Sequence, residues 1–166
     1  MRMDLIQPFI NSADAVLAQA LGSAISIEDL SMEKEAYRRK GIAAAVNLTG
    51  EIEGRIIFDV DLGAAVQLAS RLAGVEVSEA HEDLVREAVL ELANQIIGNA
   101  VTTLNDQGFR FHVRPPIVHT GEQGSKSSED TEALVMGFNT SSGKVFMNVA
   151  LSYHCSRAAE AAAAAR

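Results

Sequence analysis

The most regular hydrophobic pattern in the chain runs from Glu79 to Asp106, where apolar residues recur every three or four positions. This period predicts a long helix, with Gly108 as its closing glycine. Positions three and four apart share a helix face, so one face is predicted to carry a stripe of Glu87, Glu91, Asn94 and Gly98. The apolar residues are expected elsewhere on the helix, and they are Leu84, Ala88, Leu92, Ala93, Ile96, Val101 and Leu104.

Shorter patterns predict the other elements. Helical periodicity predicts helices at Asp4–Leu21, starting properly near Gln7 because of Pro8, and at Leu62–Leu72. Apolar, β-branched runs around glycine-containing turns predict two hairpins, which are Ile42–Leu48 with Arg55–Val60 and Ala133–Phe138 with Lys144–Leu151. Two further strands are predicted, a short one at Ile25–Ile27 and one at Phe109–Val118 that Pro115-Pro116 interrupts.

The two predicted hairpins resemble each other. Gly54–Val60 superposes on Gly143–Val149, and each hairpin is preceded by a helix and followed by a helical segment, 62–72 and 156–165. Either the hairpins are alike by chance or the chain contains a duplicated helix–strand–hairpin–helix unit. Because the strands come in hairpins, the fold class is predicted to be α+β, with a mostly antiparallel sheet packed with long helices. Residues 1–155 are expected to form a single domain, followed by an Ala-rich tail at 156–166.

Composition narrows the function classes. Among 166 residues, 22 acidic side chains outnumber 14 basic ones. This balance argues against nucleic acid and against an anionic membrane surface as partners, and it favours a protein partner with an exposed Lys or Arg. Cys155 has no second cysteine to pair with, and no apolar stretch resembles a signal peptide or a membrane span. We therefore expect a cytoplasmic protein.

The chain contains no sequence motif for most other kinds of catalytic or binding site. The four histidines show no metal-ligand spacing, so no metal site is predicted. Neither a Gly-rich phosphate loop nor Gly-x-Ser-x-Gly is present, and we expect no cofactor of the protein's own. What is left is Glu91 beside Asn94, a fixed negative charge next to an amide that both donates and accepts. An ordinary solvated helix face is the alternative interpretation of this pair.

A resemblance favours the functional interpretation. Glu87-x3-Glu91-x2-Asn94, followed about twenty residues later by Pro115-Pro116, resembles the signature of the CheC/CheX/FliY phosphatase family of bacterial chemotaxis. The opening Gln7-Pro8-Phe9-Ile10, the duplication and the chain length are also similar to CheX-type sequences. CheC-type proteins carry the Glu-x2-Asn pair on both repeated helices, whereas Pro8 stands three residues before Asn11 here. The resemblance therefore implies one site per chain, as in the CheX type.

The same resemblance implies an activity and partners. The family hydrolyses the aspartyl phosphate of a CheY-like receiver, on which Mg²⁺ is expected. By this resemblance Asn94 would orient the attacking water and Glu91 would bind the receiver's active-site lysine, with Glu87 and Gly98 contacting the partner around them. CheX-type members form homodimers through their sheets. A non-catalytic module that binds a receiver or the flagellar switch is the alternative function, and a purely structural dimerisation domain is a third.

Overall fold

Three helices and seven strands make up the part of the chain that the structure, a computed structural model, describes: residues 3–22, 24–34, 37–119 and 132–153. The helices are α1 (Met3–Leu21), α2 (Leu62–Ala73) and α3 (Glu82–Asp106). The strands are β1 (Ser26–Glu33), β2 (Ile42–Gly50), β3 (Ile52–Val60), β4 (Phe111–Val113), β5 (Ile117–His119), β6 (Ala133–Thr140) and β7 (Gly143–Tyr153). This is the predicted α+β class.

Some predicted boundaries were wrong. Helix α1 begins at Met3, whereas a start near Gln7 was predicted. Pro8 therefore lies inside the helix, where it is buried. Helix α3 begins three residues later than predicted, because the backbone N–H of Ser78 donates to Nδ1 of His81 at 3.1 Å in a turn before the helix. Strand β1 is eight residues long, although only its start was predicted. The predicted tail at 156–166 lies outside the described residues.

The strands form one sheet in the order β1-β6-β7-β3-β2-β4, with β5 also paired to β2. Each of these pairings is antiparallel. The two hairpins meet at the centre of the sheet, where β3 pairs with β7. The strands outside each hairpin pair with the hairpin of the other half. Strand β1 lies beside β6, and β4 and β5 both lie beside β2. The duplication therefore organises the sheet, and its last predicted helical segment, 156–165, lies outside the described residues.

All three helices contribute to one apolar core with the sheet. Its largest fully buried side chains include Phe9 of α1, Phe58 of β3, Ile96 of α3 and Phe138 of β6. Helix α3 packs against both α1 and α2. The Ser12 hydroxyl of α1 donates a buried hydrogen bond of 2.8 Å to the carbonyl oxygen of Ile96. Removal of this apolar surface from water is the main force that fixes α3 in place.

A second, smaller cluster contains Tyr37, Ala43, Ile57 and Val135. Beside it lies Asp59, which is fully buried and accepts from the Tyr37 hydroxyl at 2.8 Å and from the backbone N–H groups of Lys40 and Gly41 at 2.5 and 2.7 Å. Burial, followed by the charge of Asp59, raises the pKa of Tyr37. The segment at 38–40 is thus anchored through the backbone of Lys40, while Arg38 and Lys40 are exposed.

Candidate functional site

The predicted stripe lies on the solvent side of α3. Glu87, Glu91, Asn94 and Gly98 are all exposed. The buried side of α3 consists of Val85, Ala88, Val89, Leu92, Ala93, Ile96, Ile97, Ala100 and Leu104. The helix therefore holds the four residues in a row while its other side is packed into the core. A helix anchored in this way is a rigid carrier for a site.

Glu91 is held by a neighbour that the sequence interpretation did not single out. Its Oε1 atom accepts a hydrogen bond of 3.0 Å from Nε2 of Gln95, one turn further along α3. The spacing of four residues was visible in the sequence, because such positions face each other on a helix. Gln95 is thus the additional residue that orients the carboxylate.

Asn94 is exposed, and among the described residues its side chain has no hydrogen-bond partner. It carries two N–H donors and a carbonyl acceptor. All of that capacity is therefore available to a molecule that approaches α3 from solvent. A neutral amide can orient a water molecule but cannot act as a base.

Gly98 leaves the helix surface open one turn beyond Asn94. A Cβ atom placed on Gly98 would have no heavy atom within 4 Å, apart from its chain neighbours and the adjacent backbone of α3. The absence of a side chain is therefore not required by packing within this chain. It leaves room for a partner to come close to the backbone.

One predicted position was wrong. Leu84 was expected on the apolar side of the helix, but it is 40% exposed. It lines a surface groove of about 350 Å³ between α2 and α3, together with Glu87 and Glu91 of the stripe. We call this the α2–α3 groove, and its lining residues are Ala69, Leu72, Ala73, Leu84, Glu87, Ala88 and Glu91. The stripe thus continues into an apolar groove, which the sequence interpretation missed.

Two kinds of feature are absent from the described residues. No helix in these ranges is long and apolar enough to cross a membrane. No group of three or more His, Cys, Asp or Glu side chains within the same ranges is arranged to hold a metal ion.

Comparison with known proteins connects this geometry to a family. The family model described as chemotaxis phosphatase CheX matches residues 42–139, more than half of the chain. No curated protein matches the chain. Among solved structures, a CheX–CheY–BeF3–Mg²⁺ complex from Borrelia burgdorferi is 33% identical, with a TM-score of 0.73 and coverage of 90% of this chain and 99% of that chain.

Two more distant structures share the fold. A CheC-like superfamily protein from Shewanella sp. PV-4 has a TM-score of 0.79 at 21% identity, covering 92% of this chain and 99% of that one. The chemotaxis protein CheX from Vibrio vulnificus has a TM-score of 0.77 at 21% identity, covering 90% of this chain and 99% of that one. The family match over residues 42–139 and the 33% identical CheX of the Borrelia burgdorferi complex show that the chain belongs to the CheX family of chemotaxis phosphatases.

Proposed function

We propose that this protein hydrolyses the aspartyl phosphate of a CheY-like response regulator. The observation that carries the proposal is the placement of Glu91 and Asn94 side by side on the exposed face of α3, in a chain that belongs to the CheX family. The 33% identical structure of CheX in complex with CheY, BeF3 and Mg²⁺ supports a partner of this kind.

Asn94 is the proposed catalytic residue. In the reaction, a water oxygen attacks phosphorus and the bond between phosphorus and the aspartate oxygen breaks. The electron pair of that bond stays on the receiver's carboxylate, and both protons of the water leave with the inorganic phosphate. The Asn94 carbonyl would accept a hydrogen bond from this water and hold it in line with the breaking bond. Positioning of this kind supplies much of the catalysis in phosphoryl transfer. No covalent intermediate forms on the phosphatase.

Glu91 is proposed to bind the receiver's active-site lysine. Its carboxylate lies one helical turn from Asn94, so a lysine bound there would fix the position of the phosphoryl group over Asn94. Gln95 occupies Oε1 of Glu91, and Oε2 would accept from the lysine ammonium in a charge-assisted hydrogen bond. Glu87 and Gly98 would contact the partner on either side. The Mg²⁺ belongs to the receiver, and this chain would need no cofactor of its own.

We also propose a cytoplasmic homodimer with one site per chain. Strand β1 lies at the edge of the sheet and is exposed along its whole length. Ile27, Leu30 and Met32 on this strand are 46%, 62% and 49% exposed. A sheet edge with apolar side chains is a template for pairing with another chain, and a second copy would cover it.

The alternative is a binding module of the same fold that docks a receiver or the flagellar switch without catalysis. One assay separates the two functions. A CheY-like receiver from the same organism is phosphorylated, and its phosphate loss is followed in Mg²⁺ with and without this protein. Acceleration above autodephosphorylation supports the phosphatase. Complex formation without acceleration supports the binding module and would contradict the proposed activity.

A further inference from the structure

Most of the side chains that line the α2–α3 groove are apolar. Ala69, Ala73 and Ala88 are short side chains that leave space between the helices, and Leu72 and Leu84 are 51% and 40% exposed at its sides. Isolated exposed leucines are common on protein surfaces, but two that line one concave site mark a binding surface more specifically. The volume of about 350 Å³ is enough to admit a large apolar side chain.

The charged side chains that line the groove are acidic. Glu87 and Glu91 both line it, and the chain as a whole has a formal net charge of −8. A partner that fills the groove must therefore combine an apolar side chain with a nearby cation. Carboxylates beside an apolar groove would disfavour a partner whose apolar residue is flanked by acidic side chains.

Glu91 lies at the end of the groove that is nearer to Asn94 along α3. From Glu91, Leu84 is seven residues back and Asn94 three residues forward, which corresponds to about 10 Å and about 4.5 Å along the axis. A partner with its lysine at Glu91 and its phosphoryl group at Asn94 would therefore extend over the groove on the other side of the lysine.

We propose that the α2–α3 groove is a specificity-determining subsite that binds one large apolar side chain of the receiver. The occupant is a side chain of Leu, Ile, Met or Phe type, located within roughly 10 Å of the lysine ammonium. This inference rests on the proposed receiver-directed function and adds to it a second contact. Receivers that share the lysine and the phosphorylated aspartate would be distinguished by the residue they present to the groove.

The test uses Leu72→Ala and Leu84→Ala. Their matched control is Leu62→Ala, because Leu62 is also exposed on α2, at 39%, but lies outside the groove. The substrate is a phosphorylated CheY-like receiver from the same organism, and its binding is measured with the same receiver loaded with BeF3 and Mg²⁺. We expect KM and Kd to rise about fivefold for each groove variant, as for loss of a half-buried leucine contact. The kcat should stay unchanged, because the contact is equally strong in the ground and transition states.

Other outcomes would overturn the inference. If the wild-type protein is active and both groove variants have unchanged KM and Kd, the groove is not a receiver-binding subsite. The proposed phosphatase activity would be unaffected by that result. The groove would also be refuted if Leu62→Ala had an equal effect, or if the groove variants altered the oligomeric state in sedimentation, since the occupant would then be a second copy. If the wild-type protein neither accelerates phosphate loss nor binds the loaded receiver, the proposed function itself fails, and the groove assignment fails with it.

Discussion

The Glu91 carboxylate and the Gln95 amide are joined by a hydrogen bond of 3.0 Å across one turn of α3. Both side chains are exposed, so the bond competes with water and restricts Glu91 only modestly. Its consequence is orientation, because one carboxylate oxygen is occupied within the helix while the other remains for a lysine of the partner.

Gln95→Ala should therefore weaken docking slightly without changing the chemical step. Side-chain pairs of this spacing contribute about 0.2–0.5 kcal/mol, which corresponds to an increase in KM of about twofold. The measurement is steady-state phosphate release from the phosphorylated receiver. A fall in kcat of tenfold or more would instead give Gln95 a role at the phosphoryl group, and would contradict this account.

Ser12→Ala should destabilise the protein, because Ser12 is buried and its hydroxyl joins α1 to the Ile96 carbonyl of α3. The loss of one such hydrogen bond costs about 1 kcal/mol, and Tm should fall by about 2–4 °C. Thr102→Ala is the control, since the Thr102 hydroxyl donates to the Gly98 carbonyl at an exposed position. Its effect should stay within about 0.5 kcal/mol. Equal losses in the two variants would show that Ser12 does not fix the packing of α3.

Substitutions of Gly98 should separate folding from docking. Gly98→Ala should stabilise the free protein by up to about 1 kcal/mol, because glycine is a poor helix former and the position is open. Gly98→Leu should also fold, but its side chain would occupy the space needed by the receiver and raise KM about tenfold or more.

The control for Gly98→Leu is Asn99→Leu, which adds the same side chain at the next exposed position of α3, about 100° around the helix. It should leave KM close to that of the wild type. A normal KM for Gly98→Leu would show that the partner does not approach this part of α3.

The burial of Tyr37 leads us to predict a loss of stability at alkaline pH. Burial and the neighbouring Asp59 raise the pKa of Tyr37 in the folded protein above its usual value of about 10. Stability from this shift is fully present below pH ~10 and is lost as pH rises toward the folded-state pKa. Between pH ~10 and the folded-state pKa, the unfolded chain has released the proton while the folded protein still holds it. In this range the free energy of unfolding should fall by up to about 1.4 kcal/mol per pH unit because of this group.

The comparison variant is Tyr37→Phe, which lacks the phenol and its bond to Asp59. Urea unfolding between pH 9 and pH 12 should show a steeper decline for the wild type than for Tyr37→Phe. Parallel curves would mean that Tyr37 is not buried against Asp59 in solution. Lysines that titrate in the same range affect both proteins equally.

The sequence predicted elements whose burial follows a regular period. Helices α1 and α2 end at their glycines, Gly22 and Gly74, with positive φ angles of 64° and 69°, as expected for helix C-termini. Strand β1 could not be predicted in full, because all eight of its residues are exposed and no alternation marks it. Its length is set by pairing with β6 from the other half of the chain.

The stripe on α3 was predictable for the same reason, whereas the groove was not. The helical period places Glu87, Glu91, Asn94 and Gly98 on one face, but it does not say which neighbouring residues cover the rest of the helix. Leu84 is uncovered because α2 presents Ala69 and Ala73 beside it, and two alanines do not fill the space. Only the packed helices reveal this.

The most direct test of the central claim is a single-turnover measurement on Asn94→Ala. With the protein in excess over a phosphorylated CheY-like receiver, the rate of phosphate loss should fall about 100-fold, as expected when the attacking water is no longer positioned. Binding of the receiver loaded with BeF3 and Mg²⁺ should keep a Kd within about threefold of the wild type, and Asn99→Ala, an exposed asparagine off the stripe, should behave as the wild type in both measurements. A rate for Asn94→Ala close to that of the wild type would contradict the account.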